Sequence, residues 1–146
     1  MKSRADGVME CFNSGMDCSQ AILSVYGKNI IDTETAMKIS CGFAVGVART
    51  GRTCGSVTGA YMVIGLMHGR SRAEDKGSKE RTFRLIREFD RLFEERNGSV
   101  NCTELLGIDL GKDCTSEDAK QKVKKICPKL VRDAAEILDI LLFPDP

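Results

Sequence analysis

No stretch of this 146-residue chain alternates apolar with polar residues long enough to form a half-buried strand, whereas apolar spacings of three and four recur from end to end. That periodicity predicts an all-α fold, a single-domain helical bundle of about six to eight helices spanning residues 1–146. A chain of this length buries roughly two thirds of the surface that its unfolded form exposes, so it needs no disulfides to fold.

Start and stop signals divide the chain. A first helix is expected over about 2–12, ending at Asn13-Ser14-Gly15, and a second from Asp17 to Tyr26 with Gly27 as its stop. Asp32-Thr33-Glu34-Thr35 caps a third, which leads into Cys41-Gly42. Residues 42–55 hold glycines at 42, 46, 51 and 55 without a period and read as a loop pressed against the functional site. The helix over about 54–68 carries Gly55, Gly59 and Gly65 on one broad face. Each interior glycine costs up to about 1 kcal/mol, so something packs very close to this backbone, either a crossing helix or a cofactor. Residues 74–96 form the longest amphipathic segment, with a stripe of Phe83, Leu85, Ile86, Phe89, Leu92 and Phe93. This stripe is first a core face and second a surface for a homodimer. Short helices follow at Cys102–Gly107 and from Ser116, and Pro128 is expected to open the last one over 129–143.

The 22 basic and 21 acidic residues leave a charge of +1, which provides no field to draw in nucleic acid or an anionic membrane. The opening Met-Lys-Ser-Arg-Ala-Asp-Gly lacks the apolar core of a signal peptide, and no apolar run nears the ~20 residues of a bilayer span. A cytoplasmic location is expected. In a reducing compartment seven cysteines indicate metal binding or thiol chemistry. Their odd number excludes complete intrachain pairing.

Four of them, Cys18, Cys54, Cys102 and Cys127, fall at expected helix starts, where unpaired N–H groups and the macrodipole favour thiolate. No Cys-x-x-Cys occurs, so a chelate built within one turn is excluded and any shared site must be assembled by the tertiary fold. Cys11 and Cys41 are assigned to the core, and Cys114 to a polar turn without a role. Cys54 is expected to be the most reactive thiol, with Arg49 and Arg52 lowering its pKa. Gly46-Val-Ala-Arg-Thr-Gly51-Arg52-Thr53 narrowly misses a phosphate-binding loop and lacks the strand that such a loop follows. The single His68 ends an apolar helix and interacts with its dipole; as a ligand beside three cysteines it is the minor option.

Asp-Cys-Ser-Gln-Ala at 17–21, Gly-Arg-Thr-Cys-Gly-Ser-Val-Thr-Gly-Ala at 51–60, Cys-Thr-Glu-Leu-Leu-Gly at 102–107 and Cys-Pro-Lys-Leu-Val at 127–131 together resemble the C_GCAxxG_C_C family of redox-active proteins, from about Cys18 to the C-terminus. The resemblance implies a shared site of Cys18, Cys54, Cys102 and Cys127, with a Cys-Gly-Ala-x-x-Gly motif at 54–59 that departs at Ser56. Gly55, Gly59 and Arg52 are the expected cofactor neighbours. Three functions compete. The four sulfurs hold zinc or an iron–sulfur cluster for electron transfer or sensing; they act as thiol/disulfide pairs of an oxidoreductase or redox sensor; or they are core residues of a non-enzymatic helical module. No dinucleotide or flavin fingerprint is present, so electrons are expected from a partner protein or a small thiol.

Overall fold

The computed structural model describes residues 2–145. Eight right-handed helices occur among them: α1 (Arg4–Asn13), α2 (Cys18–Gly27), α3 (Thr33–Cys41), α4 (Gly55–His68), α5 (Lys76–Asn97), α6 (Cys102–Leu106), α7 (Leu110–Asp113) and α8 (Glu117–Leu142). The fold is all-α, with no strand among the described residues and one isolated backbone bridge. No described helix is long and apolar enough to cross a membrane.

The helix starts obey local hydrogen-bond chemistry. Asp32, Asp75, Asn101 and Ser116 each accept the backbone N–H three residues on, at 2.8, 3.0, 3.0 and 3.0 Å, which satisfies one of the donors that a helix leaves open. Gly98 and Gly107 end α5 and α6 in the left-handed conformation, φ 86° and 71°.

Two boundaries differ from expectation. Pro128 does not open a helix: it lies inside the 26-residue α8, so Cys127 is mid-helix. The missing N–H breaks one rung of the i→i−4 ladder, but apolar contacts on both sides hold the helix together, through Ala119 before the proline and Leu130, Val131, Ala134 and Leu138 after it. Ala44–Arg49 is not an irregular loop but a left-handed turn: Val45, Gly46, Val47, Ala48 and Arg49 all have φ between 55° and 64°.

Most of the core lies between α2, α4, α5 and α8, where Ile22, Val57, Ile64, Phe89, Phe93 and Ile137 are fully buried. The Tyr26 hydroxyl donates to the Ala135 carbonyl at 2.7 Å and to Asp139 at 2.9 Å, tying α2 to α8. Buried Asp133 of α8 pairs with Arg96 of α5 at 3.3 Å and with Lys129 at 2.5 Å. A second, smaller cluster gathers Cys102, Leu106, Leu110 and Ala119. The apolar stripe of α5 is only half a core face: Phe89 and Phe93 are buried, while Phe83 is 45% exposed.

The most extensive helix contact in the molecule joins α2 and α4. A Cβ at Gly59 would lie 3.1 Å from the Ser19 Cα and 3.2 Å from the Ile22 Cβ, so this glycine serves a helix crossing. Gly65, two turns on, has nothing within 4 Å of such an atom. Gly65→Ala should therefore stabilise the protein by up to about 1 kcal/mol through helix propensity, while Gly59→Ala should destabilise it by about 1–3 kcal/mol through overpacking. Urea midpoints of the two variants check this, and equal shifts would show that the crossing is loose.

Candidate functional site

Two short segments bring Cys54 and Cys102 together. Residues 51–54 and 100–103 run antiparallel, with Thr53 bridged to Asn101. The Cys54 N–H donates to the Val100 carbonyl at 2.8 Å, the Cys102 N–H to the Arg52 carbonyl at 2.6 Å, and the Thr103 hydroxyl to the Gly51 carbonyl at 2.9 Å. Alternate residues of an extended pair share a face, so Cys54 and Cys102 are diagonal neighbours on one side of it. Each then meets a helix start: Cys54 is the N-cap of α4 and Cys102 the first residue of α6.

Cys18 arrives as the first residue of α2, behind an Asp17–Gln20 capping box. Its sulfur lies 2.4 Å from where a Cβ on Gly55 would be. A Cβ on Gly46 would lie 2.6 Å from the Cys102 Cβ and 3.0 Å from its sulfur. Glycine at these two positions therefore makes room for two sulfurs. Gly46 belongs to the left-handed turn, which is fastened at both ends: its carbonyl accepts the Arg52 N–H at 2.8 Å, and the Thr50 hydroxyl donates to the Val47 carbonyl at 2.7 Å. The Val45 N–H of the turn favours the charged form of the Cys18 sulfur. L-residues resist this conformation by about 1–2 kcal/mol each, and four of the five are not glycine.

Cys127 of α8 closes the set. All four cysteines line a cavity of about 80 Å³, completed chiefly by the apolar residues Phe12, Val45, Leu106, Leu110, Val123 and Leu130. It lies at the seam between the two core clusters, Cys54 belonging to the larger and Cys102 to the smaller. All seven cysteines are free thiols. Among the described residues no three His, Cys, Asp or Glu side chains converge tightly enough to hold a single metal ion.

Burial decides the electrostatics. It pushes the Cys18 thiol up to about 12 and Cys102 to about 11, and moves Cys54 and Cys127 the same way, with the neighbouring sulfurs adding to the rise at each. The Cys18 residue is half-buried, and desolvation is still the largest cause of the rise at its thiol. Backbone N–H groups do favour thiolate, those of Ser56 and Val57 at the start of α4 for Cys54, and for Cys18 those of Ser19 in α2 and Val45 in the left-handed turn, yet they do not offset desolvation. The expected activation of Cys54 is thereby overturned. Arg49 and Arg52 are exposed and do not line the cavity; Arg52 serves the site through its backbone. The fully buried Ser56 hydroxyl, where the family motif has alanine, has no hydrogen-bond partner among the described residues and lies beside the Cys54 sulfur, whose charged form it favours.

The remaining residues lie elsewhere. Cys11 packs against the main core, Cys114 is exposed, and Cys41, expected in the core, is exposed at the end of α3. His68 ends α4 outside the cavity. The segment from Gly46 to Thr53 follows no strand and is consumed by the left-handed turn and the bridge. What sequence reasoning missed was Val45 and the left-handed conformation of its turn; Gly46 lies against the site, as expected of its glycine-rich segment.

A family model described as "Putative redox-active protein (C_GCAxxG_C_C)" matches residues 16–141. The chain belongs to this family. No curated protein and no solved structure matches it. Within the family pattern, all four motif cysteines fall on the cavity wall, and the first motif glycine, Gly55, is the one against the Cys18 sulfur.

Two outcomes follow from this geometry. Ala48→Gly, at an exposed left-handed position, should raise stability by about 0.5–1 kcal/mol, the relieved strain exceeding the entropy that glycine adds to the unfolded chain. A loss of stability in urea titrations would contradict the left-handed turn. In metal-free reduced protein at pH 7, limiting iodoacetamide should label Cys41 and Cys114 first and Cys54 last, because the thiolate is the nucleophile and burial suppresses it. Mass mapping that finds Cys54 labelled first would show that the helix start outweighs burial.

Proposed function

We propose that Cys18, Cys54, Cys102 and Cys127 hold an iron–sulfur cluster through which the protein transfers or senses electrons. The observation that carries this reading is the gathering of the four motif cysteines around one largely apolar cavity. Four soft thiolates are the usual ligand set of zinc or of an iron–sulfur cluster; zinc has no redox chemistry and suits a closed tetrahedral site. When bound, such a cluster supplies one-electron redox chemistry at a potential set by its surroundings.

The residues around the sulfurs suit this role. Gly55 and Gly46 keep space beside Cys18 and Cys102 that a methyl group would fill. The N–H groups of Val45, Ser19, Ser56 and Val57 favour negative sulfur, and the apolar walls keep water away. The same walls that hold the free thiols protonated make a cationic centre the partner that compensates the buried thiolates.

Disulfide exchange is the weaker reading. Diagonal residues of an antiparallel pair have Cα atoms about 7–8 Å apart, at or beyond the reach of a disulfide, so Cys54 and Cys102 are better placed to share a bound group than a bond. The four buried thiols also lack the thiolate character that exchange demands.

Anaerobically purified protein should contain iron and acid-labile sulfide, and Cys→Ala at 18, 54, 102 or 127 should lower both severely, while Cys41→Ala and Cys114→Ala should not. Iron retention should fall steeply with acid, since up to four protons compete for the ligands. Stoichiometric zinc without sulfide, or an absence of any metal with a reversible disulfide among these four, would refute the cluster.

A further inference from the structure

Beside the sulfur cavity lies an open groove of about 350 Å³ that shares Val45, Leu110 and Val123 with it as common walls. Its polar lining is cationic: Arg49 from the left-handed turn and Lys120 and Lys124, one turn apart on α8, with no carboxylate among the lining residues. All three are exposed, and none takes part in an ion pair among the described residues. With a whole-chain charge of only +1, this is a local field and not the edge of a general one.

Taking the four cysteines to be a redox centre, as proposed above, we infer that this groove is the docking surface for an acidic one-electron redox protein. Val45, Leu110 and Val123 wall both the groove and the sulfur cavity, so a partner seated there is parted from the cavity by these shared apolar side chains. Electron-transfer encounters are small and transient, and are steered by complementary charge more than by buried area. Three unpaired cations around a shallow apolar floor suit such an encounter. Were a one-electron centre held by Cys18, Cys54, Cys102 and Cys127, the exchange would balance simply, the reduced partner losing the one electron that the centre gains, while Arg49, Lys120 and Lys124 would hold the partner in place. The strained turn gains a second role in this arrangement, since it carries Val45 on the cavity side and Arg49 on the groove side.

The test uses the protein as purified without oxygen, with a reduced acidic [2Fe–2S] ferredoxin as the probe donor in stopped flow. The second-order rate of the wild type should fall about tenfold or more from low to moderate salt. The triple variant Arg49→Glu/Lys120→Glu/Lys124→Glu should be at least about tenfold slower at low salt and nearly indifferent to salt, with its visible spectrum intact. Arg84→Glu/Arg87→Glu, on the outer face of α5, should keep the wild-type behaviour. Equal rates in wild type and triple variant would overturn the docking surface, as would equal slowing by the α5 variant. Protein without iron would instead count against the cluster itself, and the groove is then judged by NMR with the oxidised ferredoxin. Salt-sensitive broadening centred on Arg49, Lys120 and Lys124 supports it, and broadening elsewhere or none overturns it.

Discussion

The pairing of residues 51–54 with 100–103 is the constraint on which the rest of the site depends. It is a few hydrogen bonds long, but it joins parts of the chain about fifty residues apart and fixes where α4 and α6 begin. Because Cys54 and Cys102 occupy the last extended position before one helix and the first position of another, the same contact sets their direction and gives their sulfurs helix-start surroundings. Thr103 and the Arg52 carbonyl lock it from either side. The α2–α4 crossing at Gly59 then delivers Cys18 to the same place, and α8 closes the ring with Cys127.

Two opposing electrostatic effects meet at these sulfurs. Helix-start N–H groups favour charge, and the apolar cavity disfavours it; at this depth the cavity wins for a free thiol. The balance changes if the sulfurs ligate a cation, since the charge is then neutralised at contact while the N–H groups remain.

Much of the architecture was legible in the sequence because it rests on local chemistry. Asp32, Asn101 and Ser116 announce their helices by capping, and Gly98 and Gly107 announce the ends. Cys18, behind Asp17, and Cys102, behind Asn101, are legible for this reason, whereas Cys54 is itself the N-cap of α4 and has no side-chain cap before it. Cys127 is not legible, because a proline at a first helical turn and one inside a helix look alike until the packing of Ala119 against Leu106 and Leu110 is known. Cys41 was misplaced because the run around Ile39 and Phe43 is apolar, yet Ile39 is 52% and Phe43 38% exposed. The left-handed turn runs against the intrinsic preference of Val45, Val47 and Ala48, so only tertiary contacts could reveal it. The reactivity of Cys54 was misjudged for a related reason: the helix start is visible in the sequence and the depth of burial is not.

The position of the cavity at the seam between two apolar clusters bears on how the molecule comes apart. The smaller cluster of Cys102, Leu106, Leu110 and Ala119 is too slight to stand alone, and the four cysteines form much of its border with the main core. A group bound across that border would act as a rivet between two cooperative units, and without it the segment from α6 to the first turns of α8 becomes the part free to open first. Unfolding would then cease to be all-or-none, and amide exchange would sort the chain into a tight body of α2, α4 and α5 and a looser flap.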